Sequence, residues 1–329
     1  METTELYAKK TFLALKNPYH SVIDVHPGIL DQLSEYRKQG KEVWYTGYKN
    51  TVVLSEHLKK RMAAQGFLFH TKDRMALGGR AIDLNLVNPL NGHWMTGSSS
   101  GTALNVFYGI NDAGIGTDGG GSVLAPAAAL NLFGFISPLI EQEDLKQYGK
   151  KSTDDILFYP SVGAVTREWD TMKAAAEALL FPEEAAGWEN RNKTESVTFI
   201  NREDTEVPNI YGERGPLIQY LRKQVKPGVV LISKEGPVDG EGFGDSVFGH
   251  FDVRTAKCQE DAAKGLMRVV NMSGKSALVI PEKELGVGTL LICESTREDI
   301  AAMILAAESM VKESSELVKR YFLNYNMYF

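Results

Sequence analysis

Two serine–glycine clusters stand close together in the stretch GSSSGTALNVFYGINDAGIGTDGGGS, residues 97–122. The second ends in Ser122, behind Gly119, Gly120 and Gly121. Without a Cβ in the way, glycines let the backbone turn tightly and aim successive N–H groups at one point. Such a nest of donors suits an oxyanion forming at an acyl carbon. A serine there attacks only if a neighbour takes its proton. His93 and Asp118 suggest a Ser–His–Asp arrangement, set against the plainer reading of a lone loop histidine as a solvated one. The plainest reading of the clusters themselves is a pair of tight turns where strand meets helix.

At this point the residues carry a resemblance. GSSSGTA…GTDGGGS is similar to the signature of the amidase signature family, GGSSGGSA…G(T/S)DTGGSIRxPA. The first serine of the first cluster, Ser98, and the last of the second, Ser122, lie 24 positions apart, the family's own spacing. Asn88-Pro89 matches the NP that commonly precedes the first cluster, and Pro126 falls four after Ser122. FYPSVGAVTREWDTMKAAAEALL, VNMSGKSALVIP…GVGTLLIC and GILDQLSEYRKQGKEVWYTGYKN resemble further family segments in the right order.

The resemblance implies a serine amidohydrolase that cleaves an amide C–N bond through an acyl-enzyme on Ser122. It implies that Ser98, which follows a cis peptide in the family, relays the proton to a neutral lysine. Two lysines compete for that role. Order along the chain points to Lys49 in YTGYKN, whereas the KD dipeptide of LFHTKDR points to Lys72. The N–H groups of Gly119, Gly120 and Gly121 would form the oxyanion hole, while Ser99, Thr117 and Asp118 tie the loops together. An acyltransferase or amidotransferase is the alternative if an amine rather than water resolves the acyl-enzyme, and departures from the family pattern raise another, a degenerate, non-hydrolytic binding or partner subunit. Leu124 stands where the family has arginine, Ser100 replaces a glycine, and Ile136 replaces a lysine. The chain is also much shorter than typical members, which suggests an open cleft for a bulky acyl donor.

The elements that position these residues follow from periodicity. Residues 26–40 suggest an amphipathic helix with a Gly40 stop, before the strand VWYTGY. Residues 51–66 suggest a helix with Gly66 as C-cap, FLFH a strand, and 73–92 a loop. Helices are expected at 102–110, across the apolar run 123–138, and at 169–180, where Ala and Leu lose little entropy. VTFI, GPLIQYLRKQ and VVLIS suggest strand, helix, strand; SALVIP and GTLLIC are β-branched strands before a long helix from Arg297. The alternation argues for an α/β fold. The resemblance makes it an amidase-signature-like central mixed β-sheet covered by helices on both faces. A single domain over 1–329 is expected, with polar insertions at about 181–196 and 235–251.

Composition excludes several classes. The 329 residues are 43% hydrophobic and carry a net charge of −6, so nothing draws the chain to nucleic acid or an anionic membrane. No apolar run approaches the roughly 20 residues of a membrane helix. Cys258 and Cys293 lack metal-like spacing, and with no signal-like start a cytoplasmic location is expected. MSGKS lacks the earlier glycine of a phosphate-binding loop, since Val269 stands there, and Lys275 is read as a surface residue. GEGFG does not follow a strand and open a helix. The six histidines show neither HxxxH nor HExxH, so no metal and no cofactor are expected. The expected partner is a small-molecule or peptide amide; the aromatic end RYFLNYNMYF leaves a homodimer possible.

Overall fold

A computed structural model describes residues 2–181, 188, 197–241, 252–312 and 316–323. Its centre is one ten-stranded mixed sheet, ordered β1-β3-β2-β6-β10-β7-β13-β14-β12-β11. These strands are β1 (Val22–Val25), β2 (Trp44–Lys49), β3 (Phe67–Asp73), β6 (Ala113–Asp118), β7 (Phe133–Ser137), β10 (Ser161–Thr166), β11 (Thr198–Asn201), β12 (Val229–Glu235), β13 (Ser276–Pro281) and β14 (Gly288–Cys293). β2 runs parallel to both β3 and β6, and β11 to β12; the remaining ladders are antiparallel. Two small hairpins lie off this sheet, β4 (Ile82–Val87) with β5 (Trp94–Thr96), and β8 (Lys150–Lys151) with β9 (Leu157–Phe158).

Successive strand side chains point to opposite faces, so both faces must be apolar if both are covered. Ala277 and Val279 enter one core cluster, Leu278 and Ile280 the other; Leu290 and Ile292 divide from Leu291 and Cys293 in the same way. Helices Ser100–Phe107, Leu124–Ala129 and Arg214–Gln224 supply the first cluster. Glu56–Ala64, Trp169–Leu180 and Arg297–Ala307 supply the second. The sheet covered on both faces is therefore present as expected.

Several local expectations needed correction. The run 123–138 is not one helix but a short helix followed by β7, because Asn131 at φ 50° ends the helix at a left-handed turn. A continuous apolar run does not reveal its period, which is why pattern alone misled. The supposed loop 73–92 contains β4, and the expected helix 51–66 starts only at Glu56, where Ser55 accepts a hydrogen bond from the Leu58 N–H as N-cap. Lys275 is buried and paired with Glu294, not a surface residue. Most of the expected insertions, at 182–187, 189–196 and 242–251, lie outside the described residues. Phe322, near the aromatic end, packs on Phe107 at 5.1 Å. No helix among the described residues is long and apolar enough to cross a membrane.

Candidate active site

β2 and β6 are parallel neighbours, with Tyr48 opposite Ile115, so both strands deliver their carboxyl ends to the same side. Such ends are where open α/β sheets present their ligand crevices. Lys49 closes β2, and Thr117 and Asp118 close β6. Lys49 Nζ lies 2.7 Å from Ser98 Oγ, 3.0 Å from Thr117 Oγ1 and 3.2 Å from the Thr117 carbonyl oxygen. It is 4% exposed. Burial, opposed by the Asp118 charge and aided by Lys150, lowers its pKa from 10.5 to about 7. Lys72 lies exposed on β3, and its side chain does not line the cleft.

The two serine clusters are fastened to each other. The Ser99 N–H donates to the Ser122 carbonyl at 3.2 Å, and Ser99 Oγ donates to the Thr117 carbonyl at 3.4 Å. Gly97 turns at φ 73°, where a Cβ would meet Pro126 Cδ at 2.4 Å. Only glycine fits so close an approach at a positive φ, and the first cluster thereby seats on the proline following the second. One helix begins within the first cluster, at Ser100, and another just behind the second, at Leu124. The peptide before Ser98 is trans; the cis bond among the described residues is Gly236–Pro237. The cis peptide implied by the resemblance is thus not found at Ser98.

Asp118 organises the turn around Ser122. Its carboxylate accepts from the N–H groups of Gly121 at 2.7 Å and Val123 at 2.6 Å, and from Leu124 at 3.4 Å. Burial raises its pKa, and these N–H bonds oppose the rise. Gly121 therefore gives its N–H to Asp118 and is not a free oxyanion donor. Gly119 and Gly120 border the cleft half-buried, and their N–H groups make no hydrogen bond among the described residues. Asn271 holds this turn from outside by donating to the carbonyls of Gly119 at 3.3 Å and Tyr159 at 2.8 Å. Phe158 packs so tightly on Gly119 that an added Cβ would lie 2.5 Å from its ring.

Ser98, Ser122, Lys49, Thr117, Asp118, Gly119 and Gly120 all border one cleft of about 380 Å³. That is a small-molecule volume and gives no support to a bulky acyl donor. His93 does not border it: its Nδ1 lies 2.5 Å from Asp239 Oδ2, beyond any pairing with Asp118. The Ser–His–Asp arrangement is therefore absent. Sequence reasoning missed the hairpin β8–β9, which brings Lys150 and Phe158 to the cleft, and the support Asn271 gives the Gly119 turn from behind. Its only local signal is the polar turn STDD between two lysines and an apolar pair.

Residues 83–139, which hold both serine clusters, match the family model for amidases. No curated protein matches the chain by sequence. The fold is similar to that of a 6-aminohexanoate cyclic dimer hydrolase, with TM-score 0.65 and 14% identity over 96% of this chain and 95% of that one. It is also similar to a bacterial aryl acylamidase of the amidase signature family, with TM-score 0.62 and 16% identity over 93% and 92% of the two chains. The native peptide amidase of Stenotrophomonas maltophilia gives 0.57 and 14% identity over 93% of each chain.

Proposed function

We propose that this chain, which resembles the amidase signature family in its signature segment and in its fold, is a serine amidohydrolase acting at the Ser122 cleft. The observation that carries the reading is the placement of Lys49. A buried amine with a pKa of about 7 is substantially neutral at neutral pH and lies 2.7 Å from Ser98 Oγ. Neutral Nζ keeps two N–H donors, which match the Thr117 carbonyl and hydroxyl, and its lone pair then accepts the Ser98 hydroxyl proton.

Ser122 Oγ attacks the amide carbonyl carbon while its proton passes to Ser98 Oγ and the Ser98 proton passes to Lys49. The C–O bond forms, the carbonyl π pair moves onto oxygen, and the N–H groups of Gly119 and Gly120 donate hydrogen bonds to that oxyanion. Collapse breaks the C–N bond, and the proton on Lys49 returns through Ser98 to the leaving amine. Water then attacks the acyl carbon as its proton passes through Ser98 to Lys49; the ester bond to Ser122 Oγ breaks, the proton returns to Ser122, and the acid leaves. No hydrogen bond joins Ser122 Oγ to Ser98 Oγ among the described residues; such catalytic contacts commonly tighten with substrate bound.

A fluorophosphonate probe tests the reading. It should add its mass to Ser122, and Ser122→Ala should abolish the addition. A folded wild-type protein that never labels would leave the non-hydrolytic binding subunit as the better account.

A further inference from the structure

The cleft that holds Ser122 is walled by positive charge. Besides Lys49, the described residues bordering it include Arg80, Lys150, Lys151, Arg214, Lys264 and Arg268, against one acidic side chain, Asp118. The chain as a whole has 36 basic and 42 acidic residues, so this surplus is local and runs against composition. Asp118 does not balance it outward, because it is fully buried and its oxygens accept backbone N–H groups of its own turn.

These cations are also placed, not scattered. Arg268 is 5% exposed and held by the carbonyls of Ile210 at 2.8 Å and Gly212 at 3.1 Å. Lys264 is 2% exposed and donates to the Ala81 carbonyl at 3.2 Å. Arg214 leans on Asp154 at 3.3 Å and Thr153 at 3.1 Å, both in the β8–β9 turn, which fixes that hairpin over the site. Lys151 has Asp155 at 3.4 Å, whereas Lys150 has no acidic partner among the described residues. Keeping several cations around one small cavity is costly through mutual repulsion and desolvation unless an anion enters it.

We propose that the substrate of this cleft is an amide bearing an anionic group, a carboxylate or a phosphate, recognised by Lys150 and the neighbouring cations while its carbonyl lies at Ser122. This rests on the amidohydrolase reading for the chemistry, but the recognition itself is readable without turnover. A neutral amide of equal size would give Lys150 no opposite charge, and a cationic one would be repelled.

The experiment titrates folded Ser122→Ala protein at low salt with N-phenylbutanamide, its carboxylate counterpart N-phenylsuccinamate, and the matching phosphonate. The anionic amides should bind at least about tenfold tighter than the neutral one, as a charge-assisted contact allows. The better of the two anions identifies the substrate's group. Lys150→Gln in the same background should remove most of that preference while leaving the weak affinity for the neutral amide unchanged. Equal affinity for neutral and anionic amides, no binding by any of them, or a preference undiminished by Lys150→Gln would overturn the proposal. Tight anion binding with no wild-type turnover of the anionic amide would instead uphold the recognition and count against hydrolysis.

Discussion

The floor of the cleft and its rim hold their side chains by different means. On the floor, Ser98, Lys49, Thr117 and Asp118 are each at most 9% exposed. Each is fixed by strand ends or turns: Lys49 by three contacts, Asp118 by three backbone N–H groups. On the rim, Lys150 and Lys151 are exposed on a hairpin of two-residue strands, and the only ion pair of Lys151 in the described hairpin is a surface one at 3.4 Å. Surface pairs of that kind contribute about 0–1 kcal/mol. The floor is therefore held rigidly, as the bond making proposed for it requires, because small displacements cost most there. The hairpin lysines of the rim can change without disturbing the fold, whereas Lys264 and Arg268 beside them are buried and held by backbone carbonyls.

The largest way to break this contrast is at the nucleophile. Ser122→Ala should lower amide turnover by about 10,000-fold or more while leaving the fold intact, since loss of a nucleophile removes covalent catalysis altogether. Steady-state kinetics with a far-UV spectrum would check both halves. An effect under tenfold would move the chemistry elsewhere.

Lys49→Met should cost about 100- to 10,000-fold in kcat/KM, the usual range for a positioned proton acceptor. It should also change how stability depends on pH. The folded-state pKa of about 7 lies below the ordinary lysine value of 10.5. Between those values the unfolded chain holds a proton that the folded chain lacks, so Lys49 makes stability rise with pH from about 7 to 10.5. Below pH 7 both states are protonated and the burial penalty stands in full. Denaturant titrations across this window should show a shallower rise in Lys49→Met, which is more stable than the wild type at acidic pH.

Gly119→Ala probes the seam between floor and rim. Its Cβ would come within 2.5 Å of the Phe158 ring, so the β9 end of the hairpin must shift. A loss of about 10- to 100-fold in kcat/KM is expected from misplacing the turn by up to about an ångström. Adding Phe158→Leu should recover part of it. Smallest of all, Lys72→Ala should alter kcat and stability by less than about twofold and 0.5 kcal/mol, as for an exposed side chain away from the site.

The same contrast explains what the sequence made legible. Floor residues sit at spacings dictated by the backbone: glycines where N–H groups must converge, Gly97 where only a positive φ and the absence of a Cβ let the chain pass Pro126. Those constraints leave a residue-type pattern, and the family resemblance it carries pointed to Ser98, Ser122, Thr117 and Asp118, which border one cleft. Lys49 and Lys72 could not be separated, because strand β2 meeting β6 is a long-range pairing that local pattern does not encode. Gly121 looked like an oxyanion donor because the glycine run shows capacity for turning but not which N–H Asp118 will take. The rim left almost no trace. Lys150, Lys264 and Arg268 converge from segments more than a hundred residues apart, and a lysine bordering a cleft has the same letter as one in solvent.

The central claim is that Lys49, buried and neutral, activates Ser122 through Ser98. The pH dependence of the fluorophosphonate labelling rate tests it most directly, because labelling requires the activated serine and no particular substrate. The rate should climb as pH rises through about 7, in step with loss of the Lys49 proton, and Lys49→Met should label slowly with that limb gone. A rate that rises identically in Lys49→Met and wild type would contradict the account.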